Sequence, residues 1–139
     1  MRIIGLDVGE KRTGVAISDE SALIAQPLKV IERKSGEKVI EEILKIADSY
    51  GADAVVIGVP YNMDGSVGKA ARGVLKFASL LKEKTGLKII EWDERLSTVA
   101  VEKVLISADV SRKKRKGVVD KLAAAYILQG YLEARKNPI

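Results

Sequence analysis

The sequence predicts an α/β fold, a five-stranded mixed sheet in the order βββαβαβαα with helices on both faces. Three observations predict it. Apolar runs at 2–8, 14–18 and 23–31 follow one another with only short turns between them, as meandering antiparallel strands do. From residue 35 onward, stripes at helical spacing alternate with short β-rich runs, the pattern of parallel strands joined by helices. A chain of 139 residues that is 47% apolar can bury one substantial core, and 1–139 is expected to form one domain.

Each element has its own local reason. The first two runs are joined by a Gly-bounded turn, Gly9 to Gly14, and read as a hairpin. Ser35 is placed to cap a helix in which Val39, Ile40, Ile43, Leu44 and Ala47 form the apolar stripe, and Gly51 ends it. Ala54 to Gly58 reads as a buried strand. Pro60-Tyr61-Asn62-Met63-Asp64-Gly65 is turn-forming, with Ser66 expected as the next cap. Ala70, Ala71, Val74, Phe77, Ala78 and Leu81 give a second helix that stops near Gly86, and Leu87 to Ile90 a fifth strand. A helix is expected after Ser97, carrying Val101, Val104, Leu105 and Ala108. A basic loop follows it. The last helix is expected from about Val118 to Ala134, with Val119, Leu122, Ala123, Tyr126 and Gly130 along one side.

Composition narrows the chemistry. With neither cysteine nor histidine, the chain has no disulfide, no thiolate metal site and no Ser-His or Cys-His nucleophile pair. Any metal site must use oxygen ligands, which suit magnesium, manganese or calcium. No apolar run approaches a membrane span and the N-terminus has no secretory pattern, so a cytoplasmic protein is expected. Two Asn and two Gln beside 31% charged residues follow the bias reported for hyperthermophile proteins. Residues 111–121 hold Arg112, Lys113, Lys114, Arg115, Lys116 and Lys121 against one acid, Asp120, so this segment accounts for the whole net charge of +5. Such a cluster is the footprint expected for a phosphate backbone, although a solvated charged loop has the same composition.

Three acids invite a chemical reading. Asp7 sits in an apolar strand, where an ionised carboxylate is costly unless something compensates it; shaping the turn would be its other use. Lys11 and Arg12 beside it suggest an anionic ligand. Asp93 and Glu94 follow the fifth strand, where sites of parallel sheets gather. Alternation lets only one of the two face a site, and Glu94 is favoured, with Arg95 as its orienter. Asp120 is expected in the first turn of the last helix, where an acid also stabilises the helix dipole. Yet it shares its side with Ala123, Ala124 and Ile127, and the triplet Ala123-Ala124-Ala125 would let the helix approach a sheet closely. Three distant carboxylates suit a cage for divalent metal, which in a nuclease activates a water and stabilises the leaving oxygen. The loop Gly58-Val59-Pro60-Tyr61-Asn62-Met63-Asp64-Gly65-Ser66 would wall such a site; Trp92 and Tyr61 could stack bases, though a lone Trp is more often packing.

Asp7-Val8-Gly9-Glu10-Lys11-Arg12-Thr13-Gly14-Val15-Ala16, the Gly58–Ser66 loop, Asp93-Glu94-Arg95-Leu96-Ser97-Thr98 and Asp120 opening an Ala-rich helix resemble the YqgF family, the RuvX-like Holliday junction resolvases. The resemblance spans essentially the whole chain. It implies an RNase H-like fold and a magnesium- or manganese-dependent nuclease with Asp7, Glu94 and Asp120 as catalytic, metal-binding acids. Lys11, Arg12, Asn62, Arg95, Arg112, Lys113, Lys114, Arg115 and Lys116 are then the expected contacts to nucleic acid. It implies either precursor 16S rRNA or four-way DNA junctions as substrate, and leaves monomer and homodimer both open. Two other readings stand beside it. One is a non-catalytic RNA-binding ribosome-assembly factor. The other is an ATP-handling protein of actin or sugar-kinase type, whose first phosphate loop the Asp-x-Gly hairpin also resembles, although such proteins need two domains.

Overall fold

In a computed structural model, residues 1–33, 35–94 and 112–136 are described, with side chains for all but 112–120 and 136. Strands β1 (Arg2–Val8), β2 (Arg12–Ser18) and β3 (Ala25–Glu32) run first; α1 (Gly36–Tyr50), β4 (Ala52–Val59), α2 (Lys69–Thr85), β5 (Lys88–Asp93) and α3 (Arg112–Lys136) follow. The sheet order is β3-β2-β1-β4-β5. The first three strands pair antiparallel, and β4 and β5 join β1 in parallel. This is the expected mixed sheet. The helix expected after Ser97 lies outside the described residues.

Alternation divides the core into two layers. Ile4, Leu6, Val15, Ile17, Val55, Ile57 and Val59 face α1 and α2. Ile3, Ala16, Ala54 and Val56 face α3 through Ala124, Ile127, Leu128 and Leu132. Both sides of β4 are therefore covered, which is why its sequence reads as a continuous apolar run.

The caps of α1 are those the sequence predicts. Ser35 accepts a hydrogen bond from the Lys38 amide at 3.2 Å, and Gly51 takes the left-handed conformation at φ 67°. The start of α2 differs. Its cap is Gly68, because the Ser66 hydroxyl is engaged in the preceding turn, donating to Asp64 at 2.6 Å and accepting from Asn62 Nδ2 at 2.9 Å. Ala70 is exposed; the other five members of the predicted stripe are buried.

The last helix shows the largest difference. It begins at Arg112, so the basic residues 112–116 lie on a helix, where a loop was expected. Lys and Arg are good helix formers, and a charged run carries no break signal. Its buried side runs through Ala123, Ala124, Ile127, Leu128 and Leu132, while Tyr126 is 50% exposed. The helix lies very close to the sheet: a Cβ on Gly5 would come within 2.7 Å of Leu128 Cβ and 2.9 Å of the Ala124 carbonyl oxygen. The alanines that the sequence offers for close approach are used for it.

Candidate active site

Asp7 stands near the end of the central strand β1, opposite Gly14 of β2. Residues directly opposed across strands point to one face, so Asp7 lies on the α3 side, as does Arg12. Glu94 follows β5 immediately, and its amide donates to the Val59 carbonyl at 3.3 Å. The Tyr61 amide donates to the same oxygen at 3.0 Å, which ties both chain exits to the end of β4. Asp93 is in register with Val59, whose side chain faces α1 and α2, and Trp92 is in register with Gly58 on the α3 side. Alternation returns Glu94 to the α3 side, and of the two acids it is Glu94 whose carboxyl shares a hydrogen bond with Asp7.

The meeting depends on a missing side chain. Strands lie about 4.8 Å apart, so β1 and β5, with β4 between them, are separated by about 10 Å. The residue between is Gly58. A Cβ there would collide with Glu94 Oε2 and lie 2.5 Å from Ile127 Cδ1. Glu94 therefore reaches across β4 over a bare α-carbon. Gly58 was expected to be part of a loop wall; its use as the gap between two acids is visible only once the strand order is known.

Electrostatics follow from this crowding. Burial first, then the negative field of Asp7, push the Glu94 carboxyl up to about 8. A hydrogen bond between the two side chains acts in the same direction, favouring the protonated form as donor to Asp7, and Asp93 adds a further negative field. Among the described residues, no three acidic side chains converge on one point. The third acid expected, Asp120, has its backbone in α3 and its side chain outside the description. Its position is informative nonetheless. Because α3 starts at Arg112, Asp120 is not at a helix N-terminus, and the dipole explanation for an acid there falls away. Ala124 lies over Gly5, and Tyr131 and Arg135 lie beside Met1 and Ile3, so α3 runs antiparallel to β1. Four residues back along the helix is about 6 Å, and two residues forward along β1 is about 6.6 Å. The backbone at 120 therefore lies toward the Asp7 end of the sheet.

The donor set fits a hard divalent cation: paired carboxylate oxygens, no nitrogen or sulfur ligand, and a local field that disfavours two negative charges unless a cation joins them.

Of the residues expected to touch nucleic acid, Lys11 is exposed on the β1–β2 turn and Arg12 is half-buried beside it. Asn62 spends its amide within its own loop, donating to Ser66. Arg95 lies outside the described residues. Arg112, Lys113, Lys114, Arg115 and Lys116 share the first turns of α3. Trp92 packs edge-on against Tyr131 at 5.9 Å and over Gly130, and Tyr61 packs against the core, so neither stands out as a free stacking platform.

Comparison with known proteins agrees with this geometry. Residues 1–134 match a family model described as RuvX, Holliday junction resolvase. A protein of Carboxydothermus hydrogenoformans named "Putative pre-16S rRNA nuclease" is 57% identical over 137 residues, 99% of each chain. Among solved structures, Thermus thermophilus RuvC in complex with a Holliday junction substrate superposes with a TM-score of 0.60 at 18% identity, covering 99% of this chain and 97% of that one. The fowlpox virus Holliday junction resolvase gives 0.57 at 18% identity, covering 96% and 99%. These likenesses establish the RNase H-like fold.

Proposed function

Because the chain belongs to the RuvX family of Holliday junction resolvases, we propose that it is a divalent-metal-dependent endonuclease acting on structured nucleic acid, with Asp7, Glu94 and Asp120 as its acidic site. The observation that carries this reading is the Asp7–Glu94 contact across Gly58, a carboxylate pair set at the strand ends with one member pushed up to about 8. Magnesium or manganese is the cofactor this donor set suits. When bound, such an ion lowers the pKa of a water and stabilises the charge that develops on a scissile phosphate.

The chain's own residues do the rest. Asp7 and Glu94 would supply the oxygen ligands, Glu94 in its ionised form. Asp120 completes the site from α3. Lys11 and Arg12 would attract phosphate at the hairpin, and Arg95 with the basic residues 112–116 are proposed as further contacts to the substrate. The substrate is precursor 16S rRNA, as in the name of the 57% identical relative, or a four-way DNA junction, as in the family description. The chain is proposed to act in the cytoplasm, as a monomer or a homodimer; no helix among the described residues is long and apolar enough to cross a membrane.

The test is a manganese-dependent cleavage assay on both substrates, with Asp7→Asn as control. Cleavage should fall by at least about a hundredfold while binding persists. An Asp7→Asn protein that cuts as fast as the parent would remove Asp7 from the site.

A further inference from the structure

The same sheet edge carries a second concavity on its other face. It is a cleft of about 730 Å³ between the β1–β2 turn, the start of α1 and one side of α2. Its floor is apolar, formed by Val8, Pro60, Val74, Phe77 and Leu80. Gly73 borders it, and a Cβ there would meet nothing within 4 Å. Its rim is basic: Arg33, Lys69 and Lys76 stand against one acid, Glu10. None of these four is ion-paired among the described residues. Arg33 lies over the Phe77 ring at 6.0 Å. The start of α2 also opens here without an internal anion, since its cap has no side chain and its first turn has no acid.

We propose that this cleft binds a nucleotide unit of the substrate strand, its base on the Val74–Phe77–Leu80 floor and its phosphate at Lys69 and Lys76. The rim alone would suit any anion and the floor any apolar group. A flat apolar body with negative charge along one side is the chemistry that satisfies both, and the volume lies in the range of small-ligand sites. Position favours nucleic acid over an acidic peptide. Val8–Glu10 and Pro60 line the cleft, and Asp7, one residue before Val8, and Gly58, two residues before Pro60, lie at the carboxylate pair on the other face. A strand leaving that site over this edge enters the cleft; to that extent the inference rests on the proposed nuclease activity, although the binding itself needs no metal.

The experiment is amide chemical-shift mapping of the metal-free full chain with a tetra-adenylate, alongside Lys69→Glu/Lys76→Glu. Shifts are expected at Gly36, Gly73 and Phe77, and the double variant should lose roughly tenfold or more in tetranucleotide affinity, with calorimetric Mn²⁺ affinity unchanged. If that variant does not fold, Gly73→Leu, which fills the cleft from an exposed helix position, must give the same loss. Shifts confined to residues 7–12 and 112–121, or unchanged affinity in the variants, overturn the proposal. So does a hexaglutamate peptide that shifts the cleft residues when the tetranucleotide does not. An Asp7→Asn protein that still cleaves would sink the nuclease site yet leave this result standing; cleavage without cleft binding would do the reverse.

Discussion

Replacing Glu94 by Gln should stabilise the metal-free protein at alkaline pH while destroying its affinity for metal. The carboxyl is pushed up to about 8, by burial first and Asp7 second. The native state therefore holds a proton that the unfolded chain, with an ordinary Glu, releases near pH 4.3. Between these values the native state binds more protons, so stability falls as pH rises. The contribution is fully present below about pH 4.3 and lost as pH passes through about 8. At about 1.4 kcal/mol per tenfold change in proton affinity, ionising Glu94 costs on the order of 5 kcal/mol by pH 9 before allowance for exposure. Because the residue is only half-buried, about 2–4 kcal/mol is the expected range. Gln keeps the shape and carries no charge, so Glu94→Gln should unfold at higher urea than the parent at pH 9 and at nearly the same urea at about pH 4, where the Glu94 contribution is fully present, both in chelator. Added Mg²⁺ should then stabilise the parent at pH 9 and leave the variant unmoved. A variant no more stable than the parent at pH 9 would refute the account of a crowded carboxylate pair.

Gly58→Ala places a Cβ against Glu94 and Ile127 and should cost about 1–3 kcal/mol of stability. Adding Ile127→Val should recover much of that cost without restoring Mn²⁺ affinity, read by calorimetry; parental affinity in the double variant would mean that Gly58 is not the gap through which Glu94 reaches Asp7. Gln129→Ala removes the acceptor of the Ala25 amide at 2.8 Å and the donor to the Leu23 carbonyl at 3.1 Å, and should cost about 1–3 kcal/mol in urea unfolding. Neutralising Lys113, Lys114 and Arg115 to Gln should flatten the slope of log affinity against log salt by about 2–3; an unchanged slope would make 112–116 a solvated helix end and nothing more.

What could be read from sequence is what local chemistry decides. Ser35 and Gly51 bound α1 because a hydroxyl acceptor and a left-handed backbone are needed within one turn of it. The hairpin and the apolar stripes of α1 and α2 follow from spacing alone, whereas β5, expected at Leu87 to Ile90, runs Lys88–Asp93 and so contains Asp93. Ser66 misled because two neighbours, Asp64 and Asn62, compete for its hydroxyl, and a cap signature does not show competition. The start of α3 was missed because a run of Lys and Arg is equally at home in a loop and on a helix. Asp7 and Glu94 could be nominated separately, each as an acid at a strand end. Their contact could not, since it joins residues 87 positions apart and requires the order β1-β4-β5.

Gly58 shows why this edge can carry charge at all. Val55, Val56, Ile57 and Val59 are fully buried, so β4 is the most enclosed part of the sheet. A carboxylate pair beside such a strand would ordinarily be expelled by desolvation. Here the cost falls on Glu94, whose carboxyl pKa is held well above the usual range for a glutamate by burial and the Asp7 field. The backbone of Asp120 belongs to a helix seated on the same strands at Gly5 and Gly58. Close approach of α3 and close approach of the two carboxylates thus use the same device, a glycine on the α3 face of the sheet. With Asp120 as the proposed third acid, the proposed site would be complete only when that helix docks.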